Sequence, residues 1–185
     1  MGMTVFLDRD GVINKDSVEY IKHPLEFEFI PKSPEAVALL TQSGFKVMVI
    51  SNQSMIGRNL ASKETLEAVF KKMKTGVEKA GGRITDIFYC PHTPEDDCSC
   101  RKPKPGLIFQ AQKKYQVNLA ESFMVGDSAK DIACARAAGC AKALLVKTGN
   151  GPSAYAELTQ SHMAPDYFAE DLYDAACWII NSTKS

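Results

Sequence analysis

The stretch FLDRDGVIN, residues 6–14, sets the pattern that the rest of the chain follows. An apolar run ends there in two aspartates, Asp8 and Asp10, and Gly11 follows directly. This order predicts a buried strand that stops at a sharp bend. Two carboxylates so close together repel each other unless a positive charge lies between them. The end of this strand is therefore expected to bind a cation.

Further apolar strands alternate with amphipathic helices along the sequence. Strands are expected at 4–8, 45–51, 84–90, 122–127 and 142–149, and helices at 33–44, 62–82, 105–117 and 128–139. Ser33 and Ser62 are expected to cap two of these helices, and the tail predicts more helices and one short edge strand. Such alternation predicts an α/β fold, a Rossmann-like doubly wound parallel sheet covered by helices on both faces. No repeat or linker divides the 185 residues, so a single domain spanning 1–185 is expected.

The composition argues against several classes of partner. Lys and Arg together number 22, as do Asp and Glu, so no excess of positive charge attracts nucleic acid or an anionic membrane. No apolar stretch approaches the roughly 20 residues that a membrane span needs. The first residues, MGMTVFLDRDG, run directly into a strand and show no secretion signal. We therefore expect a cytoplasmic monomer that binds neither nucleic acid nor membrane.

Polar residues collect where the predicted strands end, and parallel strands place those ends at one rim of a sheet. The segments are DRD (8–10), SNQS (51–54), CRKPKPG (100–106) and GDSAKD (126–131). Each alone has a structural explanation, such as a turn, local hydrogen bonds, a solvated basic turn or a helix cap. Together they indicate a phosphate-ester site. Asp8, Asp10 and Asp127 offer hard oxygens to Mg²⁺, while Ser51 and Lys102 suit phosphoryl oxygens.

These four segments resemble the four motifs of the haloacid dehalogenase superfamily of phosphohydrolases. The resemblance covers residues 4 to about 150 and implies that Asp8 is the nucleophile and Asp10 the general acid/base. It also implies that Ser51 and Lys102 bind the phosphoryl group. Asp127 would complete the Mg²⁺ site, alongside Asp8 and the backbone carbonyl of Asp10. The gaps between the motifs leave no room for a cap domain, so a capless member with an open site is expected.

A cysteine-rich loop precedes the predicted phosphate-binding lysine. The segment CPHTPEDDCSCRKP (90–103) offers Cys90, His92, Cys98 and Cys100, which make a complete tetrahedral shell for Zn²⁺. Full protein coordination leaves no open position, so the zinc is expected to be structural. The alternative is three reduced thiols and a surface histidine, but a polar loop cannot bury three cysteines as hydrophobic side chains. We expect the zinc loop, residues 90–105, to fix the position of the residues that follow Cys100.

The zinc loop and TGNG (148–151) resemble the superfamily branch of heptose-bisphosphate and histidinol-phosphate phosphatases, and the heptose members more closely. This implies a small sugar bisphosphate as substrate, heptose 1,7-bisphosphate, hydrolysed at C7 for lipopolysaccharide precursor synthesis. Heptose enzymes typically read NQSGIARG where this chain has NQSMIGRN (52–59), so Met55 and Asn59 replace glycines. The residues expected to bind phosphate or substrate are Asp16, Ser17, Val18, Glu19, Ser51, Asn52, Gln53, Ser54, Arg58, Arg101 and Lys102.

Other functions stay open at this stage. Histidinol phosphate is the second substrate to consider, although its cationic amine would be repelled by the cations expected near the site: Arg58, Arg101, Lys102 and Lys104. A nucleic-acid end phosphatase is disfavoured by the zero net charge. From another class, the chain is compatible with a phosphoacceptor or zinc-stabilised interaction module without turnover, although its complete set of catalytic residues argues for an enzyme.

Overall fold

Six parallel strands make up the sheet, as the computed structural model of residues 2–184 shows. Met1 and Ser185, which end the predicted domain, lie outside the described residues. The strands run in the order β3-β2-β1-β4-β5-β6, the doubly wound order in which ligands bind where the direction of winding reverses. Their bounds are β1 (Thr4–Leu7), β2 (Lys46–Asn52), β3 (Asp86–Cys90), β4 (Phe123–Gly126), β5 (Lys142–Val146) and β6 (Tyr167–Ala169).

Within residues 2–184, seven helices connect and cover the strands. They are α1 (Ser33–Gln42), α2 (Ser54–Gly57), α3 (Lys63–Lys79), α4 (Gly106–Tyr115), α5 (Ala129–Ala138), α6 (Gly151–Gln160) and α7 (Leu172–Ser182). Single turns of 3₁₀ helix lie at Pro24–Glu26, Pro94–Asp96 and Leu119–Glu121. The predicted α/β class and parallel sheet are confirmed, and β6 is the short edge strand expected in the tail.

The two predicted caps have different outcomes. Ser62 caps α3, where its hydroxyl accepts the N–H of Thr65 at 3.2 Å. Ser33 does not cap α1, so that prediction was wrong. The helix begins at Ser33 itself, and the buried hydroxyl donates to the carbonyl of Ile13 at 2.6 Å. The hydroxyl thus anchors the loop after β1 to the start of α1.

Alternate residues of each central strand point to opposite faces and build two apolar layers. In β1, Val5 and Leu7 pack on the side of α1, α3 and α7, whereas Phe6 packs on the side of α4, α5 and α6. All four residues of β1 are buried. The central position of β1 and its complete burial fix the bend that follows it against the neighbouring strand ends.

The connections that follow β1 and β2 contain no additional folded unit within residues 2–184. The first holds one 3₁₀ turn and α1, and the second holds α2 and α3. Both α1 and α3 pack their apolar side on the sheet, so neither covers the carboxyl ends of the strands. The expected capless architecture is confirmed. Among the described residues, no helix is both long and apolar enough to span a bilayer.

Candidate active site

The floor of the site lies where the strand order reverses, at the carboxyl ends of β1 and β4. Asp8 follows β1, and its N–H donates to the carbonyl of Val125 at 2.9 Å, which joins the two strand ends. Asp127 follows β4. The carboxylates of Asp8, Asp127 and Asp131 have oxygen atoms within 4.8 Å of one another. The side chains of Asp8 and Asp127 therefore lie together, as the ends of their strands do. Asp131 lies with them, although the sequence-based prediction gave it no role.

Lys102 places one buried ammonium among these carboxylates. Its Nζ lies 2.8 Å from Asp8 Oδ1 and 2.6 Å from Asp131 Oδ1, and donates to the carbonyl of Ile50 at 3.0 Å. Asn52, at the end of β2, fixes the lysine backbone by accepting its N–H at 3.0 Å and donating to its carbonyl at 3.2 Å. Burial alone would lower the pKa of Lys102, but the Asp131 and Asp8 carboxylates outweigh it and raise the pKa. The ammonium therefore stays charged.

The Asp10 carboxylate is held by three neighbouring side chains. Arg9, only 1% exposed, donates to it from Nη2 at 2.7 Å and from Nε at 3.1 Å to both oxygens. Asn14 donates to Oδ1 at 2.9 Å and Gln53 donates to Oδ2 at 3.1 Å. The same Gln53 amide donates to the Ser51 hydroxyl at 2.7 Å. These contacts fix the carboxylate of Asp10 relative to the hydroxyl at the end of β2.

The charge balance of the floor fits a divalent cation. Three carboxylates share one ammonium, which leaves two negative charges uncompensated. Burial raises the pKa of Asp8 well above its usual range; Lys102 opposes the rise, while Asp131 and Asp127 add to it. Burial and the Asp131 carboxylate raise the pKa of Asp127 to about 7. Since crowded carboxylates are stabilised in their ionised form by a cation, the donor set suits Mg²⁺, which prefers oxygen ligands.

Asp127 is enclosed by two glycines and by the loop before α6. The N–H and the side-chain amide of Asn150 donate to its Oδ2 at 2.9 and 3.2 Å. Gly11 and Gly149 both have positive φ, and a Cβ on either would lie 2.1 or 2.2 Å from that oxygen. The Thr148 hydroxyl donates to the carbonyl of Gly11 at 2.6 Å and ties the two loops together. The TGNG segment therefore packs directly on the acidic floor.

An open cleft of about 510 Å³ lies above this floor, and we call it the catalytic cleft. Asp8, Asp10, Lys102 and Asp127 line its base. Six of the predicted substrate residues line its walls: Asp16, Ser17, Val18, Asn52, Ser54 and Arg101.

Four other residues predicted to bind substrate do not line the catalytic cleft. Ser51 and Gln53 are buried below it, where the Gln53 amide donates to both the Ser51 hydroxyl and the Asp10 carboxylate. Glu19 is exposed and lies 3.9 Å from Lys22. The fourth is Arg58, whose guanidinium lies 3.8 Å from the Glu95 carboxylate on the surface. Their assignment as substrate contacts stays a prediction.

The two glycine replacements in the segment after β2 are both accommodated. Met55 is fully buried in α2 and belongs to the apolar layer formed with α1 and α3. Asn59 has a φ of 55°, in the left-handed region that asparagine tolerates better than most side chains. Asn59 therefore provides the backbone conformation that a glycine would otherwise supply.

The four predicted zinc ligands converge on one point. The Cys100 Sγ lies 3.2 Å from that of Cys90, 3.4 Å from that of Cys98 and 3.3 Å from His92 Nδ1. A tetrahedral Zn²⁺ with bonds of about 2.3 Å places its sulfur ligands roughly 3.8 Å apart, so the cluster matches this geometry after a slight expansion. Although burial acts to raise it, hydrogen bonds from the other two cysteines lower the pKa of Cys98 to about 7. This cluster could bind zinc, and it is one chain position away from the Arg101 side chain of the cleft.

Comparison with known proteins agrees with this arrangement. A family model described as HAD-hydrolase-like matches residues 99–175. The D-glycero-β-D-manno-heptose-1,7-bisphosphate 7-phosphatase of Bordetella bronchiseptica is 44% identical over 153 residues, which cover 83% of this chain and 85% of that protein. The Pseudomonas aeruginosa protein of the same name is 48% identical over 147 residues, covering 80% and 82%. The chain belongs to the HAD-like hydrolases.

Solved structures of HAD-like hydrolases share its fold closely. The crystal structure of D,D-heptose 1,7-bisphosphate phosphatase from B. bronchiseptica, complexed with magnesium and phosphate, superposes with a TM-score of 0.90 at 40% identity, covering 97% of this chain and 99% of that one. The Burkholderia thailandensis enzyme of that name gives 0.72 at 31% identity, covering 96% and 98%. The superfamily resemblance expected from the four motifs is thereby confirmed.

Sequence reasoning missed several residues of this HAD-like site. Asp131 binds Lys102, and its Oδ2 accepts the Ser128 N–H at 3.1 Å and the Ser128 hydroxyl at 2.7 Å. Asn150 orients Asp127. Asp131 lies in the GDSAKD motif and Asn150 in TGNG, so the sequence contained both signals without revealing their contacts. Lys130 and Glu157 also line the catalytic cleft; Lys130 lies in GDSAKD as well, whereas Glu157 had no sequence signal beyond its charge.

Proposed function

We propose that this HAD-like hydrolase is a Mg²⁺-dependent phosphatase that removes the C7 phosphate of D-glycero-D-manno-heptose 1,7-bisphosphate and leaves the 1-phosphate. The observation that carries the phosphatase assignment is the juxtaposition of Asp8, Lys102 and Asp127 on the floor of an open cleft. The names of the relatives at 44% and 48% identity support the substrate. The product would enter heptose nucleotide synthesis for lipopolysaccharide.

The proposed nucleophile has one oxygen free for attack. Asp8 Oδ1 accepts the N–H of Arg9 at 2.7 Å and pairs with Lys102, while Oδ2 has no hydrogen-bond partner among residues 2–184. Oδ2 attacks the phosphorus, a P–O bond to Asp8 forms, and the bond to the C7 oxygen breaks. Asp10 donates a proton to that leaving oxygen. It then takes a proton from the water that hydrolyses the aspartyl phosphate.

Other residues of the floor would bind the metal ion and the phosphoryl group. Asp8, Asp127 and the backbone carbonyl of Asp10 would hold Mg²⁺, which when bound neutralises charge that develops on the phosphoryl oxygens. Lys102 adds a fixed positive charge beside Asp8, and the Ser51 hydroxyl is joined to Asp10 through the Gln53 amide. The structural zinc would be held by the cluster around Cys100. We further propose that the chain acts as a single-domain monomer in the cytoplasm.

The deciding experiment compares kcat/KM for the α and β anomers of heptose 1,7-bisphosphate with kcat/KM for histidinol phosphate. Both anomers are needed because a Photorhabdus laumondii relative, 38% identical over 155 residues, is named for the α anomer. Phosphorus NMR identifies which phosphate is released, and Asp8→Asn serves as the inactive control. A higher kcat/KM for histidinol phosphate would overturn the substrate but leave the phosphatase chemistry intact. Turnover by Asp8→Asn at the wild-type rate would overturn the nucleophile.

A further inference from the structure

Cationic side chains near the catalytic cleft differ in whether their charge is already compensated. Arg58 lies 3.8 Å from Glu95 and outside the cleft lining. The Lys104 ammonium lies 2.5 Å from Asp97 Oδ1. Both side chains were expected near the substrate from sequence alone, yet both already have a carboxylate partner on the zinc loop. Neither side chain lines the catalytic cleft, and each would have to leave an exposed ion pair to contact a substrate anion.

Lys130 differs from Arg58 and Lys104, because no carboxylate within residues 2–184 pairs with it. Its side chain is exposed and lines the catalytic cleft, and its ammonium has no ion-pair or hydrogen-bond partner within the described part of the chain. Arg101 is intermediate, because one guanidinium N–H donates to the carbonyl of His92 at 3.1 Å while the side chain still lines the cleft. An uncompensated ammonium beside a catalytic floor is available for an anionic group of the substrate.

Lys130 lies where the catalytic cleft meets a second cavity. A second cavity of about 240 Å³ adjoins the catalytic cleft, and Arg101, Lys102 and Lys130 line both. These three cations therefore lie at the junction of the two spaces. Asp16 and Glu157 also line the cleft but do not line the second cavity. The junction is cationic, whereas the rest of the wall carries acids that suit sugar hydroxyls.

We propose that Lys130, together with Arg101, binds the phosphate that is not transferred and so selects bisphosphates over monophosphates. This inference rests on the proposed function, because it requires a substrate with a second phosphate. The catalytic phosphate lies on the floor beside Lys102, and the remote phosphate lies at the junction against Lys130. Because this contact is made away from the reacting phosphorus, its loss lowers the kcat/KM of bisphosphates specifically.

The test compares Lys130→Gln with wild type on heptose 1,7-bisphosphate and on p-nitrophenyl phosphate, which has no second phosphate. Lys130→Gln should lose about 10- to 100-fold in kcat/KM on the bisphosphate, the range of one charge-assisted hydrogen bond, and should keep its rate on p-nitrophenyl phosphate. Lys130→Arg should recover most of the loss. Lys113→Gln, which removes an exposed lysine on α4, is the matched control for the change in net charge.

The possible results separate the two proposals. Equal losses on both substrates, or no loss on either, would overturn the role of Lys130 while the phosphatase assignment stands. A larger bisphosphate loss in Arg58→Gln than in Lys130→Gln would also overturn it, in favour of the sequence-based expectation. A wild-type enzyme that hydrolyses p-nitrophenyl phosphate but not the bisphosphate would refute the proposed substrate, and with it the need for a second phosphate site.

Discussion

Replacing Asp131 by Asn tests whether the buried floor depends on the carboxylate that holds Lys102. The substitution keeps the shape of the side chain but removes its charge, so Asp8, at 2.8 Å, is the one carboxylate left beside the ammonium within residues 2–184. Asp131 is fully buried and Lys102 is 3% exposed, so solvent cannot replace the lost partner. Removing one member of a buried ion pair costs about 3–5 kcal/mol. Because Asp8 still pairs with the lysine, we expect the lower end, about 3 kcal/mol.

That loss should be visible both in unfolding and in turnover. For a chain of this size, about 3 kcal/mol corresponds to a fall in Tm of roughly 6–12 °C, measured by calorimetry. We also expect kcat to fall by on the order of tenfold or more, because Lys102 is no longer fixed where phosphoryl charge develops. Asp86→Asn is the matched control, since it removes the same charge from a partly exposed pair with Lys114 at the opposite end of the sheet. It should leave kcat unchanged.

A double-mutant cycle identifies the cause of the effect. If Asp131→Asn destabilises the fold because it leaves the buried Lys102 charge without a partner, adding Lys102→Met removes that charge. The free energy of unfolding of the double variant should then fall by less than the sum of the falls in the two single variants. Strict additivity, or an Asp131→Asn protein with wild-type Tm and kcat, would refute the view that this pair organises the floor.

Four further outcomes are expected. Cys100→Ser should release a structural zinc, counted by atomic absorption, and lower kcat, whereas Cys177→Ser on α7 should leave the zinc content unchanged. Gly149→Ala should abolish Mg²⁺-dependent turnover because its Cβ would lie 2.2 Å from Asp127 Oδ2, while Gly139→Ala, also at a positive φ but with open space around the added Cβ, should retain wild-type kcat. Because the pKa of Asp127 is raised to about 7 without metal, protons should compete with Mg²⁺ below that pH, so calorimetric Mg²⁺ affinity should weaken from pH 8 to pH 6. Because burial opposes ionisation of Asp127, the free energy of unfolding of the metal-free protein should fall as pH rises from 3.8 towards 7. A Mg²⁺ affinity that strengthens from pH 8 to pH 6, or a free energy of unfolding that rises from pH 3.8 to pH 7, would refute the raised pKa.

The fold and the ends of the strands could be predicted because their signals are local. Apolar runs such as that before Asp8 are interrupted by turn residues, and each helix alternates with a strand. The prediction of a helix cap is less reliable, because the capping side chain can instead form a hydrogen bond with a residue that is distant in the sequence. Ser33 fits a capping pattern, yet its hydroxyl bonds to Ile13, which is 20 positions away in the sequence. The hydroxyl of Ser62 instead bonds to Thr65, in the first turn of its own helix, and caps that helix.

Roles that depend on ion pairing could not be predicted in the same way. Sequence shows how many cations lie near a motif but not which of them a carboxylate already neutralises. Arg58 follows a predicted phosphate-binding segment, but folding brings Glu95 beside it. Lys130 looks like any exposed helical lysine, and only the meeting of α5 with the zinc loop brings it to the edge of the cleft. The proposed selection of bisphosphates therefore rests on uncompensated charge, which is a property of the folded chain.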